Sequence, residues 1–320
     1  MGPLPAIAQS LKDTPAPPPT AWDIAFGSAI ASDYVFRGIS LSNRQPMASA
    51  YSELRYNWAS NVQIYGAVST NSIEFPNRAA AETDFYGGIR STFGKLALNV
   101  NAGYYDFPGG RLYDGSTSAS TAFGAPGLNC TNGFYAAHGS CNTELAALGF
   151  AEVSTGGTYA FNDTIAAGAN IFYAPSWGNT DADGTYVSGT LKLTAPSNML
   201  PSKDDRAYFS GEFGHYFFGR TGAFSGNTVF PGQADGILLP EYNTWNAGLT
   251  FTCKVFTFDL RYYDTDLSKG NCNVLTGDNT AAYSARNISP INPSGLGSGW
   301  CGSTVVAKLS FDMTGSSGLK

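Results

Sequence analysis

Charged side chains are scarce in this chain, and they keep to alternate positions. Asp, Glu, Lys and Arg make up 13% of its 320 residues, against roughly 25% in an ordinary soluble domain. Asp33 and Arg37 share a parity, as do Glu53 and Arg55. So do Glu82, Asp84 and Arg90, then Asp259 and Arg261, then Lys308 and Asp312. Glu152, Lys192 and Glu212 stand among serines and threonines. Successive strand residues point to opposite sides, so each group occupies one face. A polar face of mixed sign can line a watery lumen and set up a transverse field that selects small ions or solutes. The same charges paired with one another would instead plug the bore. Asp33 and Arg37, four apart on one side, are expected to brace the wall as a pair, or to be two satisfied lumen charges. Gly38 is expected to serve the turn into the first loop.

Other residue types offer less chemistry. Cys130, Cys141, Cys272 and Cys301 lie in two long segments rich in glycine and asparagine. That usage suits an oxidising compartment. Pairing Cys130 with Cys141 and Cys272 with Cys301 would each close one loop; a bridge between the two loops is also open. Cys253 is left over in a short turn as a passive thiol. No C-x-x-C pair accompanies His138 and His215, so no metal site is expected. Neither histidine has a convincing serine partner at strand spacing, and no G-x-S-x-G, P-loop or H-E-x-x-H motif occurs. Catalysis, by an outer-membrane hydrolase, is therefore the weakest reading; no enzyme activity and no cofactor are expected. The formal net charge of -6, with Lys and Arg scattered singly, argues against nucleic acid.

The elements that would position these charges repeat one pattern. Residues 22–38 set Ile24, Phe26, Ile30, Tyr34 and Phe36 against Ala25, Gly27, Ala31, Asp33 and Arg37. The same grammar predicts strands over 47–58, 61–73, 82–93, 95–106, 148–160, 163–174, 185–195, 206–218, 242–251, 255–264 and 303–313. These are twelve segments, each about the 9–11 residues that a tilted spanning strand requires. Connections after odd segments are long: 39–46, 74–81, 107–147, 175–184, 219–241 and 265–302. Those after even segments are short, apart from 196–205. Such sorting by parity marks a transmembrane antiparallel up-and-down β-barrel, with long extracellular loops and short periplasmic turns. A soluble sandwich has no reason for it. Mean hydropathy is only -0.12, which a barrel tolerates because alternate side chains alone meet lipid. Aromatics at the segment ends read as two interfacial girdles: Tyr34, Phe36, Tyr104, Tyr173 and Tyr262 outside, and Trp58, Phe93, Tyr159, Phe251, Phe256 and Phe311 at the turns.

Segment one ends in Ser32-Asp33-Tyr34-Val35-Phe36-Arg37-Gly38-Ile39-Ser40. This resembles the opening signature of the TorF family of porins, also called the Gcw_chp family. Tyr65-Gly66-Ala67-Val68, Asn170-Ile171-Phe172-Tyr173-Ala174-Pro175 and Leu260-Arg261-Tyr262-Tyr263-Asp264-Thr265-Asp266 are similar to later strands of that family. The resemblance runs over most of 22–313 and implies an outer-membrane barrel with porin function. Two departures stand out: the long, cysteine-bearing third and sixth loops, and a tail, 314–320, beyond the last strand.

The expected organisation is a processing and proline-rich segment at 1–21, carrying Ala6-Ile7-Ala8, then the barrel at 22–313, then the tail. The expected function is a porin-like channel in a Gram-negative outer membrane, passing small hydrophilic solutes or ions. The pore would be lined by Asp33, Arg37, Glu53, Arg55, Glu82, Asp84, Arg90, Glu152, Lys192, Glu212, Asp259, Arg261 and Lys308. Its partners would be outer-membrane lipid, lipopolysaccharide and the solutes. A homo-oligomer is in keeping with porins, although no interface is marked. The competing reading is a structural or adhesive barrel acting through disulfide-bonded loops.

Overall fold

Twelve strands close on themselves, each paired antiparallel with its two chain neighbours and the first with the last. The computed structural model describes residues 21–75, 79, 81–109, 148–202, 204–221, 237–278, 280–292 and 294–315. The wall strands are β1 Trp22–Ala31, β2 Met47–Ala59, β3 Val62–Ser72, β4 Ala81–Phe93, β5 Leu96–Asp106 and β6 Phe150–Ala160. They continue as β7 Ile165–Ala174, β8 Gly184–Thr194, β9 Arg206–Phe218, β10 Tyr242–Cys253, β11 Phe256–Thr265 and β12 Thr304–Thr314. Closure leaves no sheet edge, so the wall amides pair along the ladders, as a lipid setting demands.

Alternation decides which side is wet. In β1, Trp22, Ile24 and Ile30 are exposed while Ala25 and Gly27 are buried. The same outward set continues through Leu54, Val68, Ile89, Val100, Leu191, Phe213, Leu249, Leu260 and Val305. Leu249 is 62% exposed in mid-strand, which is untenable in water at this scale but ordinary in hydrocarbon. The exposed aromatic rings Tyr104, Tyr173 and Tyr262 ring the loop end; Trp58, Phe93, Tyr159, Phe251 and Phe256 ring the turn end. Phe311, half-buried, packs on Phe256 with ring centroids 5.7 Å apart. Among the described residues, no helix is long and apolar enough to cross a membrane.

Tight turns follow from local chemistry. Gly94 and Lys254 take positive φ, 58° and 54°, inside two-residue turns, the conformation that matches strand twist. The Asn162 side chain accepts from the amides of Thr164 and Ile165 and closes the β6–β7 turn. The β8–β9 connection is the longer exception, built on a short helical turn at Ser197–Met199.

One segment departs from the sequence expectation. β1 ends at Ala31, not at 38, and the chain then leaves the wall for the lumen. Tyr34 and Phe36 therefore belong to no lipid-facing girdle: Tyr34 is buried and Phe36 packs on Tyr105 inside. Cys253 is the last residue of β10 and exposed. His138, Cys130 and Cys141 lie outside the described residues.

Candidate functional site

The segment that leaves the wall is a hairpin. Val35–Phe36 pairs with Ile39–Ser40, and Arg37 and Gly38 form its two-residue turn with φ of 47° and 85°. Two positive φ values suit a turn between twisted strands, and Gly38 meets the larger one without strain. Space also requires glycine: a Cβ at Gly38 would sit 2.6 Å from the Thr244 Oγ1. The hairpin's base is tied by Asp33, which accepts from the Ser40 and Ser42 hydroxyls at 2.6 and 3.0 Å and from Arg44 at 3.1 Å.

Its anchors reach opposite walls. The Tyr34 hydroxyl donates to Glu82 on β4 at 2.5 Å. The Tyr242 hydroxyl on β10 donates to the Arg37 carbonyl at 2.9 Å. β4 and β10 stand six places apart in a ring of twelve, so the hairpin spans the bore. Between them, Arg37 forms a two-pronged pair with Glu152 on β6, at 2.8 and 2.9 Å. It also donates to the Tyr216 hydroxyl at 2.9 Å. Four rings, Phe36, Phe172, Tyr186 and Tyr216, surround the guanidinium at 4.5 to 5.1 Å. Burial opposes the Arg37 charge, but the Glu152 carboxylate together with Tyr216 and Tyr105 outweighs it and holds the pKa above the ordinary arginine value. The group is a fixed cation at the centre of the mouth.

The sixth loop roofs the hairpin. The Ser40 amide donates to the Trp300 carbonyl at 2.9 Å, Ile39 bridges to Cys301, and the Trp300 indole donates to Asn43 at 2.7 Å. Helix α1, Lys269–Thr276, starts at the Ser268 cap and ends at left-handed Gly277. The Cys272–Cys301 disulfide ties it to the roof. An apolar core under the roof joins Ile39 to Val274, Leu275, Ile237, Leu239 and Tyr242.

Below the hairpin the wall charges satisfy each other locally. Arg90 grips Glu53 at 2.8 and 2.7 Å and lies 3.7 Å above the Tyr65 ring. Arg55 meets Glu53 at 2.5 Å and Asp23 at 3.8 Å. On the far wall Arg261 bonds Asp259 at 3.1 and 3.0 Å, Asn246 at 2.8 Å and Ser210 at 2.9 Å. Glu212 accepts from Tyr186 and Asn246, each at 3.2 Å. Lys192 lies 4.1 Å above the Tyr208 ring, and Lys308 stands in register with Asp259. These pairs join strands of one wall and do not reach across the bore.

The expected Asp33–Arg37 brace does not form. Asp33 is taken by Arg44 and Arg37 by Glu152, because the turn at 37–38 reverses the chain and destroys strand spacing. Sequence reasoning missed Tyr34, Arg44, Tyr216, Tyr242 and Trp300 as parts of this site. The one available signal was two apolar residues, Arg-Gly, then Ile-Ser, which is hairpin grammar inside what reads as a strand. His215 faces outward, 2.9 Å from Asn243 and beside the Phe217 ring, and no serine bonds it among the described residues.

A closed antiparallel ring with a lipid-facing apolar belt, aromatic girdles and a polar interior is an integral β-barrel of the Gram-negative outer membrane. Over residues 15–159 the chain matches the family described as "Bacterial protein of unknown function (Gcw_chp)", so the resemblance read from the opening motif holds across β1 to β6. No curated protein matches the chain in sequence. Among solved structures it is similar to an outer membrane channel from Pseudomonas putida F1, at 9% identity over 93% of this chain and 97% of that one, with a TM-score of 0.42. It is also similar to LpxR from Salmonella typhimurium, at 8% identity over 90% and 99% of the two chains, with a TM-score of 0.40. A third is a loop L8 deletion mutant of OmpT, an outer membrane protein of Vibrio cholerae, at 8% identity over 92% and 100%, with a TM-score of 0.36.

Proposed function

We propose that this barrel is a non-enzymatic channel for small hydrophilic solutes or ions, narrowed at its outer end by the 32–46 hairpin. The observation that supports the reading is an ordered hairpin laid across the bore, above wall charges that pair mostly along their own side. Charges that pair along one wall, as Glu53 does with Arg90, keep their side chains against that wall. A purely structural barrel has no need of a separate hairpin fixed at both ends of a diameter. Selection by such a constriction follows its size and its charge. The test is planar-bilayer recording from purified, folded protein. Discrete conductance steps well below those of an open wide-bore porin are expected; their absence at any voltage would remove the proposal.

A further inference from the structure

The wall is notched where β1 leaves it. The β1–β12 ladder ends at Ala31 opposite Lys308, and the β1–β2 ladder at Ala31 opposite Met47. Ser32 makes a last tie to Ala307 before the chain turns inward. Pro46 precedes Met47 and brings no amide with which to extend β2. On the other side β12 runs on to Val305 and Thr304, paired with β11, so the ring is a strand short at this level. A groove of about 540 Å³ lies there, within the roughly 300–1,000 Å³ of small-molecule sites. It touches two successive rows of the wall. The outward row is Leu309, Ile30 and Ala48; the inward row is Lys308, Ala31 and Met47. A groove reaches both rows where a strand ends, so this one runs from the lipid side over the end of β1 toward the lumen. The apolar lining continues inside, where Ala31 and Met47 join a buried cluster with Tyr34, Ile73 and Val306. Depth follows from register. Tyr262 of the loop-end girdle stands opposite Val305, and Ala307 and Leu309 lie on the turn side of it. The groove is therefore just below the girdle, at the level of hydrocarbon.

We propose that this notch binds one acyl chain of an outer-leaflet lipid, which completes the wall where β1 departs. Ile30, Phe258 and Leu309 on its outer side are exposed and apolar. Such a surface offers water few partners, and apolar cavities take apolar guests. At this depth lipid chains are the apolar groups in supply. A peptide partner would bring backbone groups that hydrocarbon leaves unsatisfied; an alkyl chain brings none. The charge in the lining, Lys308, stands on the inward row and does not oppose a chain on the outer one. A chain seated there also seals the bore against the bilayer beside the base of the hairpin.

The experiment titrates the purified barrel in detergent with dipalmitoyl phosphatidylglycerol and counts retained lipid by native mass spectrometry. Ala48→Trp fills the groove from its outward row. Val153→Trp places the same ring on the exposed belt of β6, far round the ring, and controls for general lipid contact. Saturation at a single lipid is expected for the native chain and for Val153→Trp, with affinity about tenfold weaker in Ala48→Trp. Equal retention by Ala48→Trp and the native chain, or no saturable retention by the native chain, overturns the site. Should Ala48→Trp fail to fold, the native protein decides in vesicles of a phospholipid carrying a photoactivatable diazirine on its acyl chain. Label concentrated at 30–32, 46–48 and 307–309 is expected; label spread evenly over the belts of all twelve strands overturns the site. Neither readout depends on conduction, so this inference stands or falls apart from the channel.

Discussion

Arg37 is the residue on which the mouth turns. Its guanidinium satisfies Glu152 with both prongs, and the pair is buried, with side-chain exposures of 6% and 1%. Removing one partner of such a pair leaves the other as an uncompensated charge, at a cost of about 3–5 kcal/mol. Arg37→Ala is therefore expected to lower the unfolding midpoint and to free the hairpin tip, so that single-channel conductance rises. Arg37→Lys keeps the charge but loses the planar fork and the ring stacking; its conductance should fall between the two. A conductance in Arg37→Ala equal to the native value would show that the hairpin does not limit flow.

At the scale of elements, the hairpin is held from above by a loop that is itself tied. Cys272 and Cys301 lie 29 residues apart in sequence, and closing a loop of that length restricts the unfolded chain by about 3–4 kcal/mol in the chain-entropy picture. Cys301 also bridges Ile39 directly. Cys272→Ser/Cys301→Ser should therefore loosen roof and hairpin together. The expected outcome is faster proteolysis within 266–303 on intact cells, with barrel circular dichroism unchanged. Protection equal to the native loop would assign the roof's stability to the apolar core around Val274 and Leu275 alone.

For the whole molecule, the deciding quantity is which face meets hydrocarbon. Leu249 and Thr250 are neighbours on β10, one exposed outward and one buried inward. Leu249→Arg places a charge in mid-bilayer at a cost of about 2–4 kcal/mol, so folding into lipid vesicles should fall sharply. A charge on the lumen side costs far less: Asn246→Arg, on the inward face of the same strand, should insert nearly as the native chain does. Equal folding yields for the two variants, read by protection from protease in vesicles, would contradict the assignment of faces.

The twelve strands and their two faces were legible because alternation is local: each residue's side depends only on the parity of its place in the strand. Eleven strands fall within two residues of the limits read from the pattern. The inward parity of Glu53, Arg90, Asp259 and Arg261 was legible for the same reason. The end of β1 was not. Tyr34 and Phe36 continue the outward parity of Ile30, so their alternation is the same whether the chain runs on along the wall or folds inside. Only the tertiary structure decides, because what draws the hairpin in lies far away in the chain: Glu82, Glu152, Tyr216, Tyr242 and Trp300. Ion-pair partners follow the same rule. Parity states which charges share a lumen, but the choice of Glu152 for Arg37 and Arg44 for Asp33 depends on distances that exist only once the ring has closed.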